Sequence, residues 1–160
     1  MSDEPGGPSV AADDQQSDVP LDIAVYGQLA VNVLQGEGAD GSLSLVFVDE
    51  ARMTELHEQY MGEPGPTDVL AFPLHEADDP VPHGAPVLLG DVVVCPAVAS
   101  RYAAEHDRSV DDELALLVVH GVLHVLGHDH AGVDDTAAMQ AAEDRHLIGF
   151  REPPWTWSRS

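Results

Sequence analysis

The sequence predicts an α+β fold, with one small mixed sheet packed against helices and a buried central helix. Two patterns predict it. Segments typical of strands come before and between the first helical segments, and the longest helical segments lie near the end of the chain. A length of 160 residues suits a single domain with a modest core. We expect this domain to span residues 20–150, after a disordered acidic tail over 1–19 and before an irregular tail over 151–160.

The first part of the chain predicts two strands and two helices in alternation. Apolar residues alternate with polar or small ones over 21–25, which predicts a strand, and recur at helical spacing over 29–34. The apolar run 43–48 predicts a second strand. Asp49 then supplies a side chain suited to cap a helix that ends near Tyr60.

The middle of the chain predicts two more strands. A short strand over 68–72 stops at Pro73, and the segment 74–86, with its prolines and acidic residues, predicts a loop. Residues 87–94 form an apolar run typical of a strand, and a helical pattern follows over 97–105.

Two helices are expected in the last part of the chain. Ser109 and Asp112 suit a capping box at the start of a helix that is apolar on almost every side through Leu126. A helix without a polar face is a buried helix, so we expect it at the centre of the domain. Gly127 ends it, and a last amphipathic helix is expected over 134–147.

Charge and composition exclude several classes of protein. There are 29 acidic residues against six basic ones, all arginine, so the basic patch of a typical nucleic-acid-binding protein is absent. The single cysteine, Cys95, excludes an internal disulfide framework and a cysteine-based zinc finger. No signal-peptide pattern begins the chain, and the longest apolar run, 114–126, is shorter than the ~20 residues of a membrane span. We expect a cytoplasmic protein without a membrane partner, whose acidity suits concentrated salt.

Four of the nine histidines lie between positions 120 and 130. His120 and His124 are one helical turn apart, so both side chains project from one face of the buried helix. After Gly127, a tight turn can bring His130 over that face. Three converging neutral imidazoles suit a catalytic Zn²⁺, with the fourth position left to water. Asp129 can orient a ligand imidazole by accepting its outer N–H.

The histidine spacing also matches the metzincin protease signature at every position but one. Those proteases have glutamate directly after the first histidine, as the general base for the attacking water. This chain has Gly121 at that position, and a glycine cannot take a proton. The metal ligands are thus present without the base of peptide hydrolysis.

Three landmarks together resemble the YbeY family of bacterial metal-dependent endoribonucleases. They are HGVLHVLGHDH at 120–130, GPTDVLAFP at 65–73 and LGDVVV at 89–94, and the resemblance runs from about residue 43 to 147. It implies an α+β fold, one Zn²⁺ held by His120, His124 and His130, and cleavage of single-stranded RNA. It also implies maturation of the 3′ end of 16S rRNA and ribosome quality control. The implied partners are the ribosome or small-subunit precursors, with no DNA substrate.

Two positions depart from the family pattern. Many members have tyrosine where this chain has His128, a change that keeps a polar ring beside the metal. Many also have an arginine after the aromatic residue of the preceding helix, for RNA binding or catalysis. Here Met61 follows Tyr60, so that role does not transfer, and Met61 is expected to face the core or line a groove. Arg52 or Arg101 are candidates to replace the missing charge.

The chemistry at a phosphodiester has two open routes. A three-histidine Zn²⁺ can lower the pKa of its bound water toward ~7 and deliver hydroxide, or it can stabilise charge on a non-bridging oxygen while the ribose 2′-OH attacks. His128, Asp68 and Asp91 are the nearest candidates for proton transfer. For the two aspartates, a hydrogen-bonding role at a strand end is an equally open interpretation.

Two other classes of function stay open. A metal-dependent hydrolase of another substrate, such as a peptide, is favoured if Glu113 or Glu143 reaches the metal-bound water. A non-catalytic ribosome-associated zinc protein is favoured if a fourth protein ligand closes the metal site. The number of protein ligands therefore separates an enzyme from a structural zinc protein.

Overall fold

The computed structural model describes residues 7–74, 88–127 and 133–151, with nine helices and strands among them. In chain order these are β1 (Pro8–Asp14), α1 (Ile23–Gly36), β2 (Gly41–Phe47), α2 (Glu50–Met61), β3 (Val69–Pro73), β4 (Leu88–Val94), α3 (Pro96–Glu105), α4 (Val110–Val125) and α5 (Val133–Arg151). Strands alternate with helices in the first part, and three helices follow the last strand. The predicted α+β class is confirmed.

The four described strands form one mixed sheet in the order β1-β2-β4-β3. β1, β2 and β4 run parallel, and β3 pairs antiparallel with β4 at the edge of the sheet. Gly90 on β4 lies against both neighbours. A Cβ atom at this position would lie 2.5 Å from the carbonyl oxygen of Phe72 on β3 and 3.0 Å from Cγ1 of Val125 on α4. Glycine therefore lets β3 and α4 pack closely on β4.

Each face of the sheet carries a separate apolar core, because side chains alternate along the strands. The larger core lies under α1, α4 and α5, and β4 contributes Val92 and Val94 to it. The smaller core lies under α2 and consists of Val48, Met53, Leu70, Val93 and Cys95. By the same alternation Asp91 shares the α2 face with Val93, so the sheet separates Asp91 from α4.

The predicted strand over 21–25 is wrong, because these residues lead into α1. Asp22 is the N-cap of α1, and its carboxylate accepts a hydrogen bond from the backbone N–H of Ala24 at 3.1 Å. Val25, which the predicted strand would bury, is exposed, and the buried residues of α1 recur every three or four positions, as a helix face requires. The apolar residues of 21–25 mark the first turn of an amphipathic helix.

The expected disorder over residues 1–19 is also wrong for residues 8–14. These residues form β1, paired in parallel with β2 over its full length. Val10 packs against the larger core, and the backbone N–H of Gln15 donates to the carbonyl oxygen of Phe47 at 2.8 Å. An edge strand is held largely by backbone hydrogen bonds, which a polar and acidic sequence forms as well as an apolar one.

The central helix agrees closely with expectation. The hydroxyl of Ser109 caps α4 by accepting from the backbone N–H of Asp112 at 3.0 Å, and ten residues of α4 are buried. Within the described part of the chain, no helix combines the length and apolar character of a membrane span. Most of the expected loop over 74–86 and nearly all of the tail over 151–160 lie outside the described residues.

Candidate metal centre

His120 and His124 project from the same side of α4, as predicted. Their ring centroids are 6.1 Å apart and the ring planes are inclined by 57°. Both residues are partly exposed, although α4 is otherwise largely buried, and the His120 side chain is 28% exposed. The two imidazoles therefore form a polar, solvent-accessible stripe on a buried helix.

The carboxylate of Glu143, on α5, contacts the first of these rings. Its Oε2 lies 2.7 Å from Nδ1 of His120. A carboxylate at Nδ1 favours the tautomer with the proton on that nitrogen, which leaves the lone pair on Nε2. The contact thus prepares His120 to coordinate a metal through Nε2. Sequence reasoning named Glu143 as a possible base; no local signal shows that α5 packs it against His120.

Gly121 faces the sheet. A Cβ atom at this position would lie 2.6 Å from Cγ1 of Val92 and 3.4 Å from Cγ2 of Val69. The Cβ atom of a glutamate here would point toward the sheet. The rest of its side chain would need space that the core already fills. Close helix–sheet packing therefore explains why the metzincin base is missing.

Glu113 lies two helical turns before the histidine pair and is engaged in a different contact. It is 2% exposed, and it accepts a hydrogen bond from the guanidinium of Arg108 at 2.9 Å. It precedes His120 by seven residues, which is about 10 Å along the helix axis. Glu113 therefore ties the first turn of α4 to the segment before it.

The two aspartates proposed for proton transfer occupy different places in the sheet. Asp91 lies in the middle of β4 on the face covered by α2, away from α4. Asp68 directly precedes β3, where its carbonyl oxygen accepts from the backbone N–H of Cys95 at 2.8 Å and its carboxylate lies 3.5 Å from the hydroxyl of Thr67. Asp68 thus has the hydrogen bonds of a strand end, and Asp91 has no described contact with the histidine pair.

His128, Asp129 and His130 lie outside the described residues, so their roles stay predictions. Among the residues that the structure describes, no three metal-binding side chains come together. His120 and His124 supply two ligands at most, so a three-histidine site needs a third, which the sequence predicts to be His130.

Met61, the residue that departs from the family pattern, is the last residue of α2. Met61 is 47% exposed, so it does not face the core. Tyr60 is 57% exposed, and its ring centroid lies 5.2 Å from that of Phe72 in a T-shaped pair. Arg101 forms a two-point contact with Glu50 and thereby lowers the pKa of that carboxyl. Arg52 pairs with Glu55 at 3.2 Å. Both side chains are exposed, so this ion pair contributes little to the stability of the fold.

A groove of about 530 Å³ lies on the α2 face of the sheet, and sequence reasoning missed it. Among its lining residues are Arg52, Tyr60, Phe72, Leu74, Asp91 and Val93. The lining residues come from α2, from β2, β3 and β4, and from segments next to the strands, so that only the folded chain brings them together. We call this mixed polar and aromatic surface the α2 groove.

Comparisons with known proteins agree on one family. A family model described as endoribonuclease YbeY matches residues 11–151. Endoribonuclease YbeY of Thermobifida fusca is 42% identical over 140 residues, which cover 85% of this chain and 90% of that protein. Endoribonuclease YbeY of Beutenbergia cavernae is 44% identical over 140 residues, with coverage of 84% and 93%.

A solved structure shows the same fold. The solution structure of TM1509 from Thermotoga maritima matches with a TM-score of 0.61, over 92% of this chain and 93% of that one. The two sequences are 23% identical. At that identity the likeness concerns the fold. The second half of β1 and all of α1 fall within the matched family region.

Proposed function

Because the chain belongs to the YbeY family of endoribonucleases, we propose that it cleaves single-stranded RNA with one Zn²⁺ bound by His120, His124 and His130. The observation that carries the zinc proposal is the paired arrangement of His120 and His124 on α4, with Glu143 at Nδ1 of the first ring. His130 is proposed as the third ligand from its spacing after Gly127.

The described donor set fits zinc. Two imidazoles one helical turn apart are a common half of a catalytic zinc site, and a carboxylate behind one of them is the usual outer partner. When bound, Zn²⁺ would supply a Lewis acid beside the scissile phosphate. Glu143 would hold the His120 ring in place, and His128, two residues before His130, is the proposed group for proton transfer.

The geometry supports RNA cleavage over peptide hydrolysis. The peptide alternative requires Glu113 or Glu143 to act as a base on water. Glu113 is buried against Arg108, and Glu143 is hydrogen-bonded to His120. Position 121 faces Val92 rather than the open side of the helix. Glu113 is thus engaged away from the histidine pair, and Glu143 is engaged as the hydrogen-bond partner of His120.

In ribosomal RNA processing, we propose that the substrate is the 3′ end of 16S rRNA in small-subunit precursors. Family membership supports this assignment, and the low positive charge of the chain fits it. Six arginines against 29 acidic residues give little attraction for free RNA, so a ribosomal particle that presents the RNA would strengthen its binding.

The test is cleavage of a labelled single-stranded RNA by the zinc-loaded protein, with the same sequence as a duplex for comparison. We expect cleavage of the single strand by the parent and none by His124→Ala. Asp144→Asn, an exposed change on α5 beside Glu143, is the matched control and should cleave normally. Cleavage by His124→Ala at the parental rate would contradict the proposal.

A further inference from the structure

The α2 groove and the histidine face lie on opposite sides of the same two strands. α4 packs on β3 and β4 from one side, and β3 and β4 supply the floor of the groove on the other. β3 is an edge strand, so no strand of the described sheet lies beyond it. An extended chain that bends over β3 can therefore occupy both sides at once.

From this arrangement, we infer that the α2 groove binds one unpaired nucleobase of the RNA strand, with a preference for guanine set by Asp91. The inference rests on the proposed function, because it takes the strand that crosses β3 to be the RNA substrate. It assigns to Asp91 the recognition of a base, in place of the proton transfer considered above.

The size and walls of the groove suit a base. A volume of about 530 Å³ lies within the range of small-ligand sites, which is roughly 300–1,000 Å³. Tyr60 is 57% exposed, and its ring meets that of Phe72 at 62°, so the Phe72 ring is not stacked parallel on it. Proteins bind unpaired bases by stacking them on such aromatic rings.

Asp91 gives the groove a polar floor. Its carboxylate is partly buried, and no hydrogen bond or ion pair joins it to another described residue. Guanine presents two adjacent donors, N1–H and N2–H, to the two oxygens of a carboxylate, whereas uracil presents one donor between two acceptors. Asp91 therefore favours guanine over uracil.

Arg52 favours RNA over a peptide as the occupant, and the need for a free Watson–Crick edge favours a single strand over a duplex. Arg52 lines the groove, and its exposed pair with Glu55 is weak enough to exchange for a phosphate. A base in a duplex has its Watson–Crick edge occupied and cannot present it to Asp91. The groove would then admit single strands and exclude duplexes.

The test measures equilibrium binding, without cleavage, by fluorescence anisotropy. The probes are a pentauridylate and the same pentamer with one central guanosine, with full-length protein in excess EDTA at fixed salt. We expect the guanosine pentamer to bind about tenfold more tightly to the parent. Asp91→Asn should remove this preference, and Tyr60→Leu should weaken binding of both pentamers by about tenfold.

Two variants outside the groove are matched controls. Glu105→Gln removes one negative charge from the exposed end of α3, and Tyr102→Leu removes an exposed tyrosine from the same helix. Both should keep the parental affinities and the guanosine preference. Because Tyr60 is exposed, Tyr60→Leu keeps the inference testable if Asp91→Asn lowers the Tm below the assay temperature.

A guanosine preference that survives Asp91→Asn would overturn the inference. Unchanged RNA binding in both Asp91→Asn and Tyr60→Leu would also overturn it. That result would favour a protein as the partner that binds the α2 groove. Failure of the proposed function is distinguishable: a parent that shows the preference but cleaves no RNA after zinc loading would refute the cleavage proposal and support base binding.

Discussion

Around the histidine pair, single residues decide which chemistry the face of α4 can perform. The spacing of His120 and His124 was predictable, since the period of a helix is local. The contact of Glu143 with His120 and the packing of Gly121 on Val92 were not, since both depend on how α4 packs against α5 and the sheet. The donor type was thus readable from the sequence, and its partners were not.

The first prediction at this scale concerns Gly121→Ala. The added methyl would meet Val92 at 2.6 Å, so the core must shift, and we expect a loss of about 1–3 kcal/mol of unfolding free energy. Denaturant unfolding measures it. The double variant Gly121→Ala with Val92→Ala should lose less than the sum of the two single losses, because the smaller residue 92 gives the methyl room. Strict additivity would show that the two positions do not touch.

The second concerns Glu143→Gln. An amide at Nδ1 of His120 is a weaker orienting partner than a carboxylate, so we expect zinc affinity to fall by about 10–100-fold. Competition with a chromophoric chelator measures it, with Asp144→Asn as the control for charge on α5. The Tm of the zinc-free protein should stay close to the parent. Equal zinc affinity in Glu143→Gln and the parent would show that Glu143 does not support zinc binding by His120.

At the scale of elements, β2, β4, α2 and α4 were predictable, because their apolar residues recur with the period of the structure that they form. The failures lie in the first 25 residues. A strand was predicted where Asp22 caps α1, because alternation over five residues does not separate a strand from a helix start. β1 was missed because its side chains are small or acidic, and its place is set by pairing with β2.

The third prediction tests β1. Deletion of residues 1–14 removes the strand that pairs with β2 and packs against α1, where Ala12 lies 3.4 Å from the position of a Cβ on Gly27. We expect the unfolding free energy to fall by at least about 1 kcal/mol. The m-value should fall as well, since less surface is exposed on unfolding. If the truncated chain keeps the parental midpoint and m-value, residues 1–14 do not stabilise the fold, and the sequence-based prediction of a disordered tail would stand.

For the whole molecule, charge is the dominant property. The formal net charge is −23, and each arginine whose side chain the structure describes is paired with a glutamate. These are Arg52, Arg101, Arg108 and Arg145. Little positive charge is therefore left on the described surface to attract a polyanion, and the acidic residues repel one another at low salt.

The fourth prediction follows from this charge. Between about 0.05 and 1 M KCl the Debye length falls to ~3 Å, so both self-repulsion and repulsion from RNA are screened. We expect the Tm and the RNA cleavage rate to rise over this range. Ordinary nucleic-acid binding weakens with salt because counterions are released. A steady fall in cleavage with salt would therefore indicate a basic surface outside the described residues.

The central claim is that the histidine face of α4 holds the one zinc ion on which RNA cleavage depends. The most direct measurement is a zinc titration of the metal-stripped protein, with the cleavage rate of a single-stranded RNA followed at each addition. We predict that cleavage is absent at the start and saturates at one zinc per chain. His124→Ala should stay inactive at that ratio. A full cleavage rate in the metal-stripped protein would contradict the claim.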